Sequence, residues 1–417
     1  MELQFGFGKT VETVEVNDNN LIDVLRATKI EHKLLNEEAV KDAILNPIGS
    51  KRLKDIVKPG NTVAIVTSDI TRPLPTYHIM PSLLEELYEG GVKKEDITLI
   101  FALGNHRKQT VEEKEHLAGE KAAKEIALAD STDFGFKHFG YTKNGTPVDI
   151  CEKVANADIR ICLGNVEYHY FAGYSGGVKA IMPGVSTRDA IQKNHSLMVD
   201  EKACAGNIID NPIRRDIEEA GKMVGVDFIV NVVLDEKKNI VFAAAGDAVK
   251  AHRTACSYLD KMYLKPIKER ADIVIVSQGG APKDLNLYQT QKALDNAKHA
   301  VKKGGTVILV GSCKEGLGEK TFEEWITTAK TPDSLIKRIR KEFKLGGHKA
   351  AAIAMVLQNA DIYLVSELDE ELVKSIFMKP YKSVQSAFDD AIKKYGENAT
   401  VIAMPYGGST LPRVNNK

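Results

Sequence analysis

The sequence predicts an α/β protein of two domains, each built on a mostly parallel or mixed sheet, with the active site in the interdomain cleft. Three observations carry this expectation. The chain has 417 residues, more than a single core holds at roughly 150 residues per domain. Short β-branched runs alternate with amphipathic, helix-length stretches, as in parallel sheets. Polar motifs follow directly on the apolar runs, and the carboxyl edge of an open α/β sheet is where ligands bind.

TVAIVTS at Thr62–Ser68 reads as the first strong strand, followed by the helical PSLLEELYEGG and a second strand in DITLIFALG at Asp96–Gly104. DIRICLG at Asp158–Gly164 is a third buried strand. DFIVNVVLDEKKNIVFAAAGD reads as a hairpin turning near Lys237–Asn239, which makes this sheet mixed. A second βα series runs through ADIVIVSQGG, TVILVGSC and DIYLVSEL. The expected division is therefore 1–265 plus about 383–417 as the larger N-terminal domain, and 266–382 as a smaller C-terminal domain closing over it. The return crossing is placed near Met378–Lys382, so that the strand in TVIAMPYGG (Thr400–Gly408) rejoins the first domain. No repeat of solenoid period interrupts this pattern.

Lys plus Arg and Asp plus Glu both number 57, which leaves no basic excess for nucleic acid or anionic lipid. The N-terminal MELQFGFGKTVETVEV alternates polar and apolar residues and lacks the basic start and apolar run of a signal peptide, and no window is apolar enough for a membrane helix. A cytoplasmic protein acting on a small molecule is expected, without nucleic acid or membrane partners. Five cysteines without a CxxC pair argue against structural disulfides and thiolate zinc sites, and Cys162, within an apolar run, reads as a small core residue.

Chemistry concentrates where strands end. Asp69 and Arg72 lie in SDITRP, on a loop stiffened by Pro73 and Pro75. The guanidinium fork suits a carboxylate, and Asp69 can orient the arginine or a neighbouring histidine; a loop salt bridge between the two is the plainer reading. His106 in LGNHR and His169 in EYHYFAGYSGG both follow strands, and two imidazoles titrating near neutrality can serve two faces of one carbon. GYSGGVKAIMPGVST (Gly173–Thr187) is glycine-rich but lacks the GxxxxGK[ST] of nucleotide hydrolases. Its lysine, Lys179, has an apolar flank that can desolvate it into a nucleophile or covalent anchor, while Gly176 and Gly177 can bring backbone close to a ligand. His195 in QKNHSLM is a candidate metal ligand without an accompanying cluster. KDLNLYQTQKALDNA puts Tyr288, Gln289 and Lys292 at the opening of a helix, with Gln289 and Lys292 on one face.

SDITRP, GNHR, HYFAGYSGGVKAIMPG with its following NH, and KDLNLYQTQKALDNA occur in this order along nearly the whole chain, and together they resemble the nickel-dependent lactate racemase family. The resemblance implies a racemase or epimerase that inverts C2 of a small 2-hydroxy acid, lactate or a related acid. It implies a nickel-pincer nucleotide (pyridinium-3-thioamide-5-thiocarboxylic acid mononucleotide) tethered to Lys179, with Gly176 and Gly177 beside it and His195 as the nickel ligand. His106 and His169 match the acid/base pair. Arg72, Gln289 and Lys292 match substrate-binding groups, with Asp69 and Tyr288 in support. Reversible hydride transfer to the cofactor ring is the implied chemistry, and accessory proteins that load the cofactor are the implied partners. Two rival readings are a zinc hydrolase using His106, His169 and His195, which leaves Lys179 idle, and a non-catalytic protein that binds the cofactor.

Overall fold

The β-branched runs become central strands because both of their faces are covered: Val63–Ser68 and Ile97–Ala102 each bury five consecutive residues, as parallel strands between helical layers do. The structure is a computed structural model that describes residues 1–415. It divides into two compact units, Ile30–Lys261, and Met1–Lys29 together with the chain from Met262 onward.

The Ile30–Lys261 unit carries a six-stranded sheet. Its order is Ile240–Gly246, Phe228–Leu234, Ile159–Asn165, Val63–Ser68, Ile97–Ala102 and Ala127–Asp130. All neighbours are parallel except the first pair, the hairpin whose turn is closed by Asp235 and Asn239, so the sheet is mixed as expected. The core on one face joins Ile65, Leu99, Phe101 and Ile161 to Ile79, Leu83 and Leu87 of the helix Thr76–Glu89. The chain lays down the three strands from Val63 outward to Ala127, then returns to the opposite side of Val63 with Ile159. The order therefore reverses between Val63–Ser68 and Ile159–Asn165, the point at which open α/β sheets form their ligand crevice.

The other unit has a second six-stranded sheet, wholly parallel, in the order Lys379–Tyr381, Ala360–Val365, Val301–Val310, Ala271–Ser277, Val401–Met404 and Leu21–Val24. This pairing differs from the expected division. Residues 379–381 form an edge strand rather than a crossing, and 401–404 pairs with 271–277, not with the first sheet. Leu21–Val24 completes this sheet, so 1–29 and 383–415 both belong here. Val14 and Val16 from the N-terminal hairpin share one core with Ile275, Ile308, Phe388 and Val401, which explains the assignment. Strand pairing over so long a sequence separation leaves no local signal. All five cysteines are free; Cys162 is fully buried, and burial pushes its thiol up to about 12, consistent with a packing role.

Candidate active site

The crevice of the Ile30–Lys261 unit collects the predicted motifs. The loop after Val63–Ser68 carries Asp69 and Arg72, and the loop after the neighbouring Ile97–Ala102 carries His106. Beyond Ile159–Asn165, on the other side, come His169 and Lys179.

Asp69 is 2% exposed, and its Oδ2 lies 2.5 Å from His106 Nδ1. Its Oδ1 accepts from the Thr71 hydroxyl at 2.6 Å and the Thr71 N–H at 3.1 Å. The sequence left open whether Asp69 serves Arg72 or a histidine; the partner is His106, and the plain loop salt bridge does not form among the described residues. Burial by itself would raise the Asp69 carboxyl, but the hydrogen bonds from His106 and Thr71 and the nearby imidazole hold it below its usual value. A carboxylate on Nδ1 fixes the ring with its proton there and its lone pair on Nε2. Arg72 is exposed, its side chain donating to the Thr71 hydroxyl at 3.5 Å. Gly104, φ +54°, shapes the loop before His106, and its N–H is bound by the Gly184 carbonyl, which ties this loop to the segment after Lys179.

His169 is set the other way. The Ala172 N–H points at its Nδ1 at 3.3 Å, so Nδ1 accepts and the ring proton sits on Nε2. Burial, then the charges of Lys179, His195, Arg72 and Arg214, push its pKa well below the ordinary histidine value, so the ring is neutral. Phe171 links the two histidines edge-on, 4.5 Å from the His169 ring and 4.8 Å from that of His195.

Lys179 sits on the 3-10 turn Gly177–Ala180. Burial, with Arg72 and Arg214 adding like-charge repulsion, brings its ammonium down to about 7. Arg72 thus acts on both His169 and Lys179, which puts the three motifs in one electrostatic neighbourhood. His195 ends the helix Arg188–His195, capped by Thr187, and is 9% exposed. Its Nδ1 faces Asn194 Oδ1 at 3.1 Å, and Asn194 is itself held by Asp216 at 2.8 Å. A ring that donates from Nδ1 keeps its lone pair on Nε2, the arrangement of a metal-binding histidine.

Sequence reasoning missed the support beneath the lysine loop. Asn231 accepts the Gly177 N–H at 2.8 Å, His252 donates to the Ser175 carbonyl at 2.8 Å, and the fully buried Arg214 binds the carbonyls of Ala172 and Tyr174. Gly176 and Gly177 have φ +74° and +60°, and a Cβ on either would strike Val166 and Asn231 or the His252 ring, so close packing onto the protein requires both glycines. Arg214 had one legible signal: in PIRRDIEEAGKMV it falls on the same helical face as Ile217 and Gly221, where an arginine is out of place.

Tyr288, Gln289 and Lys292 belong to the other unit, on the short helices Leu287–Thr290 and Lys292–Ala297 that follow the Asn286 cap. Lys349 donates to the Tyr288 carbonyl at 2.7 Å and lies 3.6 Å over its ring, while Gln278 donates to the Gln289 carbonyl. Among the described residues no three His, Cys, Asp or Glu side chains gather to hold a metal, so His106, His169 and His195 do not make the ligand set a zinc hydrolase needs. No helix among them is long and apolar enough to cross a membrane.

Residues 7–206 match the lactate racemase N-terminal domain family and residues 267–411 the lactate racemase C-terminal domain family. The chain is 32% identical to lactate racemase of Thermoanaerobacterium thermosaccharolyticum over 99% of both chains. It is also 32% identical to that of Lactiplantibacillus plantarum over 96% of this chain and 97% of the relative. The structure of the lactate racemase apoprotein from T. thermosaccharolyticum superimposes with a TM-score of 0.88 at 31% identity, over 99% of this chain and 100% of that one. A Thermotoga maritima crystal structure, 19% identical, shares the fold at a TM-score of 0.64 over 93% of this chain and 100% of its own. The chain belongs to the lactate racemase family.

Proposed function

We propose that this protein is a racemase that inverts C2 of lactate or a closely related 2-hydroxy acid, using a lysine-tethered nickel-pincer nucleotide. One observation carries the reading: an aspartate-oriented histidine, a second histidine of opposite tautomer and a lysine brought down to about 7 share the crevice where the strand order reverses.

The residues fit the group. Near neutral pH a large share of Lys179 is the neutral amine that thioamide formation needs. His195 has the tautomer of a metal ligand. Two buried donors near the lysine loop, Arg214 Nη1 and Asn231 Nδ2, have no hydrogen-bond partner among the described residues, as expected where a polar group remains to be met. When bound, the nucleotide would supply a hydride acceptor, which avoids removing a proton from a carbon beside a carboxylate and building a dianion. Arg72 then holds the substrate carboxylate. His106 accepts the hydroxyl proton at Nε2 while Asp69 stabilises the imidazolium that results. His169 presents an N–H to the substrate oxygen. Working in the opposite direction requires His169 to release the Ala172 N–H, and at 3.3 Å that bond is long.

The test is chiral chromatography of enantiopure lactate incubated with protein whose nickel content and Lys179 adduct have been verified. Inversion is expected; fully loaded protein that leaves lactate and its 2-hydroxy acid neighbours unchanged overturns the reading.

A further inference from the structure

The topology that marks the crevice above recurs in the other unit. From Ala271–Ser277 the chain runs outward through Val301–Val310 and Ala360–Val365 to Lys379–Tyr381, then returns to the opposite side of the starting strand with Val401–Met404. The strand order therefore reverses there too, and the carboxyl ends at such a point leave a ligand-sized gap. A cavity of about 540 Å³ occupies it. Its wall includes Gly279 beyond Ser277, Tyr406 beyond Met404, Arg26 beyond the edge strand Leu21–Val24, and Lys9 in the two-residue turn of the N-terminal hairpin.

The wall carries a clear chemical preference. Lys9 and Arg26 are exposed and, among the described residues, neither has an ion-pair partner. No acidic side chain lines the cavity. The Tyr406 ring, 41% exposed, lies against Gly279, where a Cβ would come within 2.7 Å of the ring, so glycine is what allows the aromatic wall. Two unpaired cations of different shape, one a fork and one a point charge, beside an aromatic face suit a compact polyanion. None of these residues belongs to the proposed racemisation machinery, and every lining residue lies within this one unit.

We propose that this cavity is a second ligand site, one that binds a small anion carrying at least two negative charges, as a phosphate or a polycarboxylate. Isothermal titration of the full-length protein with inorganic phosphate, pyrophosphate and citrate tests it, at low and high salt and in the variants Lys9→Ala, Arg26→Ala and the double substitution. Both side chains are exposed, so folding is not at stake. Saturable binding of at least one anion is expected, weakened about tenfold or more by either single substitution and reduced by salt. The preferred anion separates the phosphate from the carboxylate source. Absence of saturable binding of all three, or equal affinity in the double variant, overturns the proposal.

Discussion

Asp69→Asn is the sharpest probe of the candidate site, because the structure dictates which way the new amide must face. Thr71 donates to Oδ1 twice, through its hydroxyl and its N–H, so the asparagine oxygen stays with Thr71 and the NH2 turns toward His106 Nδ1. An N–H facing Nδ1 makes that nitrogen an acceptor and moves the ring proton to Nε2, where a lone pair is needed. Loss of a hydrogen bond to a charged group alone is worth about 1.5–3 kcal/mol, or roughly 10- to 150-fold. Removing a positioned general base costs about 10²–10⁴-fold, and the wrong tautomer does both. We therefore expect kcat for racemisation to fall by about 10²–10⁴-fold while nickel content and the Lys179 adduct mass stay unchanged. The folded Asp69 carboxyl lies below its ordinary value, so its contribution to stability is present above the unfolded pKa and is lost as pH falls through the folded one. Wild type should thus exceed the variant in denaturant stability at neutral pH, by a margin that shrinks on acidification below the carboxylate range. A loaded variant within about threefold of wild-type kcat refutes the orienting role.

Other expectations follow from the same geometry. In the apoprotein, acylation of Lys179 followed by mass spectrometry should titrate with a midpoint near 7, against about 10.5 for surface lysines; Arg72→Ala should raise that midpoint by removing a like charge, and a midpoint unmoved from the surface value would contradict the desolvated site. Lys179→Ala should abolish cofactor retention and His195→Ala should lower bound nickel, read by intact mass and metal analysis. His106→Ala and His169→Ala should each keep the cofactor and lose about 10²-fold or more in racemisation. His252→Ala removes the donor to the Ser175 carbonyl and should cost about 1–3 kcal/mol in urea denaturation, with slower cofactor retention if the lysine loop loosens.

What the sequence disclosed and what it withheld divide along physical lines. Runs such as TVAIVTS and ADIVIVSQGG announce their strands because a parallel strand buried on both faces must be apolar throughout. The hairpin at 228–246 was legible for the same reason, with Asp235 and Asn239 marking its turn. Strand partners were not. LIDV at 21–24 and VIAM at 401–404 are short, and nothing within either segment says that they pair with each other and with 271–277. That choice is made by a shared core that joins Val14 to Ile308 and Phe388 far along the sequence.

The candidate site was legible in its titratable residues and not in those that hold them. His106 and His169 stand out as imidazoles following buried strands, and Lys179 as a lysine with an apolar flank, where a charge is costly to bury. Their controls come from elsewhere: Asp69 sits 37 positions from the histidine it orients, and Ala172 sets the His169 tautomer with nothing but its backbone N–H. The lysine loop depends on Arg214, Asn231 and His252, which reach it from a helix, a strand and a second helix. His252 in turn has its Nδ1 turned to Arg253 at 3.1 Å, and Arg253 is gripped by both oxygens of Glu218 at 2.7 and 3.0 Å. With Nδ1 accepting, His252 donates from Nε2 to the loop, so an ion pair on the two helices fixes the hydrogen bond that positions Lys179. Burying Arg214 is a real cost that lowers its own pKa to about 10, offset in part by the charge of Glu218, and its own charge adds to burial and to Arg72 in bringing Lys179 down. The arginine therefore serves the lysine loop twice, by binding the carbonyls of Ala172 and Tyr174 and by adding to the field that lowers Lys179, which accounts for its place on this helix face.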